Sequence, residues 1–173
     1  MKQIYRFIPI LFLAIILASC GYHNPNVYTG PAKSVYIADW KNRTSELALG
    51  SKIYRTLMRW YQKSGSISVV RKKEGTDLIL AGEIISIDLP SLSYGLDNTA
   101  TEVKAKLRVR YILKEIATNT IIFEVPDETW TEAYLLGNSS TQAINNEEEA
   151  LERIIENLSQ KIYQNTVSGI PKL

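Results

Sequence analysis

Residues 101–114 read T-E-V-K-A-K-L-R-V-R-Y-I-L-K. Thr101, Val103, Ala105, Leu107, Val109, Tyr111 and Leu113 fall on one side of a two-residue period. Glu102, Lys104, Lys106, Arg108, Arg110, Ile112 and Lys114 fall on the other. Successive side chains of a pleated strand point to opposite faces, so the pattern predicts a long strand with one apolar and one basic face. The apolar face requires a covering layer, and the basic face then lies open.

The flanking sequence supplies the rest of the sheet. Leu78 to Leu89 is apolar on both sides of the period, as an interior strand would be, and Pro90 ends it. Residues 91–99 read as a loop. After a turn at 117–120, Ile121 to about Ala133 forms the next strand, in which Pro126 marks a bulge or an edge. Upstream, Val35 to Trp40 is a short strand signal. Ile67 to Val70 is a short extended piece before the polar turn R-K-K-E-G-T-D.

Two helices complete the pattern. Asn42 to Glu46 offers hydroxyl caps and an acidic first turn, opening a helix that runs to about Ser64 and stops at Gly65. Leu47, Ile53, Tyr54, Leu57, Met58 and Tyr61 define its predicted buried face. Residues 134–145 read as a polar loop. Asn145 or Asn146 then caps a second helix, with Glu147, Glu148 and Glu149 in its first turn. Its apolar stripe is Leu151, Ile154, Ile155, Leu158 and Ile162. The order β-α-β-β-β-α predicts an α+β two-layer sandwich, with both helices on one face of a mixed four-stranded sheet. Its first strands pair in parallel and the later ones meander antiparallel. One domain spans 35–167, with a short tail at 168–173.

The N-terminus is organised differently. Lys2 and Arg6 precede a twelve-residue run, Phe7 to Ala18, that is apolar apart from Pro9. That run is too short to span a bilayer core, which needs roughly 20 residues, and reads as a secretory signal over residues 1–19. Leu17-Ala18-Ser19-Cys20 resembles the lipobox of bacterial lipoproteins, which implies lipid on Cys20 as the new N-terminus. Cys20 is the only cysteine and His23 the only histidine. No residue is present to resolve a reactive thiol or complete a metal site with them. The lipobox resemblance implies lipid as the covalent group, with no other cofactor; the alternative is an ordinary signal peptide or membrane anchor that happens to contain a Cys. Gly21 stands where an Asp would retain an enterobacterial lipoprotein in the inner membrane, which favours the outer membrane. Residues 20–34 read as a tether rich in Gly, Pro and Asn.

Charge narrows the function classes. The sequence pI is about 8.6, but removing residues 1–19 leaves 154 residues with 18 basic and 18 acidic side chains. Bulk attraction to nucleic acid is not supported, so anion binding must come from local placement. Lys104, Lys106, Arg108 and Arg110 are that placement, about 7 Å apart along the strand. They either pair with acids on neighbouring strands, Glu83 and Glu124 being candidates, or form a track for anionic groups. The two readings can coexist, and cations also blunt unwanted pairing near a sheet edge. There is no Gly-rich phosphate loop, nucleophile elbow or ligand cluster, so an enzyme is not expected. Trp40, Trp60 and Trp130 read as core or interface anchors.

The C-G-Y-H that follows the lipobox resembles the start of LptE-type lipopolysaccharide-assembly lipoproteins. V-Y-I-A-D-W-K-N-R-T leads into the first helix, and G-S-I-S-V-V follows it. T-D-L-I-L-A-G-E-I stands where that family has an A-D-x-x-L-x-G-x-I strand. E-E-A-L-x-x-I-I-E-N-L-S-x-K-I closes the pattern, and the likeness covers nearly all of residues 20–166. The resemblance implies a plug inside the outer-membrane β-barrel LptD that helps the barrel fold and binds lipopolysaccharide in transit. Basic contacts assigned to family loops have no counterpart here, since neither 91–99 nor 134–145 holds a Lys or Arg. The basic row on the strand is therefore an independent candidate. The first half also resembles CsgG/LpoB-like periplasmic lipoproteins, which form secretion pores or activate peptidoglycan synthases. The C-G-Y-H start, the short length and the long third strand favour the first resemblance. An envelope lipoprotein with a purely structural role is a third class.

Overall fold

The computed structural model describes residues 28, 30–89 and 102–170. The signal segment, Cys20, most of the tether, the 91–99 loop and the last three residues lie outside the described residues. In chain order the elements are β1 (Lys33–Ile37), β2 (Lys41–Asn42), α1 (Leu49–Gln62), β3 (Ile67–Val70), β4 (Leu78–Asp88), β5 (Glu102–Glu115), β6 (Ile121–Leu135) and α2 (Ser140–Gly169). The sheet runs β3-β1-β4-β5-β6, and β2 also pairs with β4. Pairing is parallel among β1, β3 and β4 and antiparallel across β4, β5 and β6.

The predicted architecture holds, but the sheet has six strands and not four. The extended piece at 67–70 is its edge strand, and Lys41–Asn42 adds a short ladder along β4. Both are too short to show a period, which is why the pattern did not place them in the sheet.

β5 carries the expected alternation. Ala105, Leu107, Val109, Tyr111 and Leu113 are buried, while Lys104, Lys106, Arg108 and Arg110 are exposed. Facing the apolar side are Ile53, Leu57 and Tyr61 of α1 and Ile154, Leu158, Ile162 and Tyr163 of α2, all in one core. β6 is an edge strand and also bulged. Val109 pairs with Glu128 and Tyr111 with Val125, so β6 fits one extra residue beside Pro126. The β5–β6 turn places Asn119 at φ 59°, a left-handed position that Asn tolerates.

Both helix starts differ from expectation. Asn42 Oδ1 accepts from the Thr44 amide and hydroxyl, and Asn42 Nδ2 donates to the Glu46 carbonyl. This closed network outcompetes a helical turn, so α1 begins only at Leu49, after an Ala48 cap without side-chain help. Leu47, predicted to be buried, is consequently 89% exposed. Conversely, α2 begins before the asparagines. Ser139 Oγ accepts from the Gln142 amide at 3.2 Å, and Gln142 Oε1 accepts from the Asn138 amide at 3.0 Å. That arrangement is close to a capping box, and S-x-x-Q was its sequence signal. Glu147, Glu148 and Glu149 thus lie inside the helix, where Glu147 accepts from Tyr134 Oη at 2.9 Å.

Two further contacts orient the domain. Lys52 Nζ donates to Glu148 Oε1 at 2.9 Å, and Arg59 Nη2 to Glu156 Oε2 at 3.2 Å, so α1 and α2 lie side by side in the same direction. Tyr28, within the segment read as a tether, is buried, and the Lys33 amide donates to the Ser66 carbonyl at 2.8 Å. The chain therefore enters the domain at the C-terminal end of α1.

Candidate functional site on the open sheet face

Lys104, Lys106, Arg108, Arg110 and Lys114 of β5 point away from the helices, and the β4 and β6 registers decide what each one meets. Lys106 lies opposite Asp88, Arg108 opposite Ser86 and Thr129, and Arg110 opposite Glu83. Arg110 Nε donates to Glu83 Oε2 at 2.6 Å, and Arg43 Nε donates to Glu83 Oε1. The two guanidiniums leave the Glu83 side chain 8% exposed on a face that is otherwise wet. The Arg110 guanidinium, then that of Arg43, holds the Glu83 carboxyl below the usual carboxylate range against the opposing effect of burial.

Arg108 Nε donates to Asp127 Oδ1 at 2.7 Å, and its Nη2 grips Oδ2 of the same carboxylate. That fork keeps the Asp127 carboxyl low and pushes the Arg108 guanidinium up. Lys106 lies 3.7 Å from Asp88 Oδ2, a loose exposed pair. Lys104 makes no ion pair among the described residues, and neither does Glu124, which the sequence offered as a partner. The Glu83 pairing was foreseen. Asp127 was not, because strict alternation from Val125 sends it inward. The extra residue at Pro126 turns it out to Arg108 and turns Glu128 in to accept from Tyr111 Oη at 2.7 Å.

The site is therefore graded along the strand. Its loosely held cations are Lys104 and Lys106, at the start of β5, Lys106 being paired only at 3.7 Å with Asp88, and its clamped cations are Arg108 and Arg110. Toward the chain-entry end the same face becomes more apolar, where Ala81 pairs with Ile112 and Tyr36 with Ile79, all half-buried, with Lys114 beside Ile79. Between the two zones lies a pocket of about 240 Å³ bordered by Lys41, Glu83, Arg110, Ile112, Glu124 and Pro126. Such a face can meet an amphiphile: anionic groups against the lysines and hydrocarbon against the isoleucines.

A family model for lipopolysaccharide assembly, LptE, matches residues 32–166. The chain belongs to that family. LptE membership makes it an envelope lipoprotein of lipopolysaccharide assembly, in which the family's part is non-enzymatic. The match favours the first of the two resemblances drawn from the sequence. No curated protein matches the chain significantly. Among solved structures, an uncharacterized lipoprotein B from Nitrosomonas europaea is 21% identical, with a TM-score of 0.51 over 82% of this chain and 84% of that one. A minor lipoprotein from Acinetobacter baumannii is 16% identical, with a TM-score of 0.44 over 79% of this chain and 93% of that one. The Nitrosomonas likeness supports the fold alone. Among the described residues no helix is long and apolar enough to cross a membrane.

Proposed function

We propose that this LptE-family chain is anchored in the outer membrane through lipid on Cys20. There it plugs the LptD β-barrel, assists its assembly and binds lipopolysaccharide on the open sheet face. The observation that carries the reading is that face itself. Lys104, Lys106, Arg108 and Arg110 stand in one exposed row beside an apolar zone, within a domain of the lipopolysaccharide-assembly family. Lipid A phosphates and core-sugar carboxylates match the cations, and acyl chains match the zone around Ile79 and Ile112. No metal or diffusible cofactor enters this reading.

A photo-crosslinker in place of Thr131, which shares the face with Lys106, should capture LptD in cells. Recovery of only a cell-wall synthase, or of a homo-oligomeric ring, would overturn the barrel assignment.

The gradation along β5 gives a second expectation. Lys104→Glu with Lys106→Glu should weaken lipopolysaccharide binding about tenfold at low salt and less at high salt, with unchanged thermal unfolding. Reversing Arg110 is the poorer test, because it leaves Glu83 without its main partner. Unchanged affinity in the double lysine variant would reduce the row to solubility chemistry.

A further inference from the structure

The helix layer has an outer side that the proposed function does not use. Between α1 and α2 runs a groove of about 990 Å³, floored by Tyr54, Met58 and Ile155. Its walls carry opposite charge. Every charged residue of α1 is basic (Lys52, Arg55 and Arg59), whereas the facing side of α2 carries Glu149, Glu152 and Glu156, with a single cation, Arg153, that is held by Glu132 and Glu149. The two ends of the α1 row close within the molecule, Lys52 on Glu148, which adjoins the acidic row, and Arg59 on Glu156. The middle members do not. Arg55 and Glu152 are exposed, sit level with one another by the same register and make no ion pair among the described residues.

We infer that a second copy of this chain docks on this face, about a two-fold axis parallel to the helices. That operator lays α1 of each copy over α2 of the other at the same level. Arg55 then meets Glu152 of the second copy twice, and the apolar floors face each other as in a four-helix bundle. The other two-fold arrangement, with its axis across the helices, stacks α1 on α1 and sets Lys52, Arg55 and Arg59 against their own kind. Chain entry selects the same operator. An axis parallel to the helices keeps both entry ends together, so two lipid-anchored copies pair within one membrane; the crossed arrangement points them apart.

The face is limited by α1, about 20 Å long, and the stretch of α2 about 10 Å beside it, which together offer only about 400 Å² per copy, less than a stable soluble dimer buries. The pairing is therefore weak in solution and depends on the local concentration that anchoring supplies. It belongs to the lipoprotein before it enters a barrel.

The test uses the mature lipidated chain with donor or acceptor dye at its C-terminus, in vesicles of phosphatidylethanolamine and phosphatidylglycerol. Energy transfer for the natural sequence should exceed the level of randomly distributed copies at the same density. Arg55→Glu alone and Glu152→Arg alone should each weaken association about tenfold, since each sets two like-charge contacts across the axis. Mixing the two variants restores both contacts, so the mixture should return to the natural level. Random-level transfer for the natural sequence, single variants that pair normally, or a mixture no better than its parts would each overturn the inference. Circular dichroism of both variants should match the natural chain, as both positions are exposed.

Discussion

Gly82→Ala is expected to destabilise the domain by about 3 kcal/mol, a large share of the roughly 5–15 kcal/mol that holds a domain of this size. Gly82 pairs with Tyr111 on the helix-facing side of β4. A Cβ built there would stand 2.5 Å from Cε2 and Cζ2 of Trp40. That indole is 6% exposed and packs toward Tyr111 with ring centroids 6.4 Å apart, so it has little room to retreat. Its Nε1 has no hydrogen-bond partner among the described residues, which means the ring is held by shape and not by a polar tie. Overpacking of this kind costs about 1–3 kcal/mol, and two ring atoms clash at once. Trp40→Leu in the same chain should recover part of the loss. The double variant should then be more stable than the sum of the single effects predicts, as urea unfolding of all four chains would show. An unchanged unfolding midpoint for Gly82→Ala would mean that the sheet shifts to admit the methyl.

Cys20→Ala should move the protein from the membrane fraction to the soluble one, changing the partition at least about a hundredfold. One acyl chain binds a membrane only marginally, and two already anchor stably at about 0.8 kcal/mol per buried CH₂. Among the described residues no helix is long and apolar enough to cross a membrane. A barrel that encloses the domain would retain it independently. Fractionation should therefore be done with LptD present and with LptD depleted. Release only on depletion supports both the lipid site and the plug. Full retention in the depleted cells would overturn the lipid assignment.

Much of this could be read from the chain, for reasons visible in particular residues. β5 and the α2 stripe were legible because each has one face in the core and one in water. Pro126 signalled its bulge because it cannot donate to a ladder. The two misread helix starts share one cause: competition among local hydrogen bonds that hydrophobic period does not register. Asn42 drew Thr44 and Glu46 into a closed network and delayed α1, whereas Ser139 and Gln142 capped α2 early. The candidate site was half legible. Alternation revealed which cations share a face, but the partners depend on register, and a bulge shifts register by one residue. Asp127 reached Arg108 by that shift, and Arg43 reached Glu83 from outside the core ladder.

The sheet topology also bears on the order in which the domain is made. β5 and β6 are joined by a turn of a few residues, so their pairing closes a small loop at little entropic cost. β1 meets β4 only across a gap of about forty residues that must first form α1 and β3, as the pairing of Val35 with Leu78 requires. Loop closure favours the meander as the nucleus and leaves the parallel edge to dock late. The first strand of the domain, synthesised before the rest of the sheet, is then the last to find its place in it.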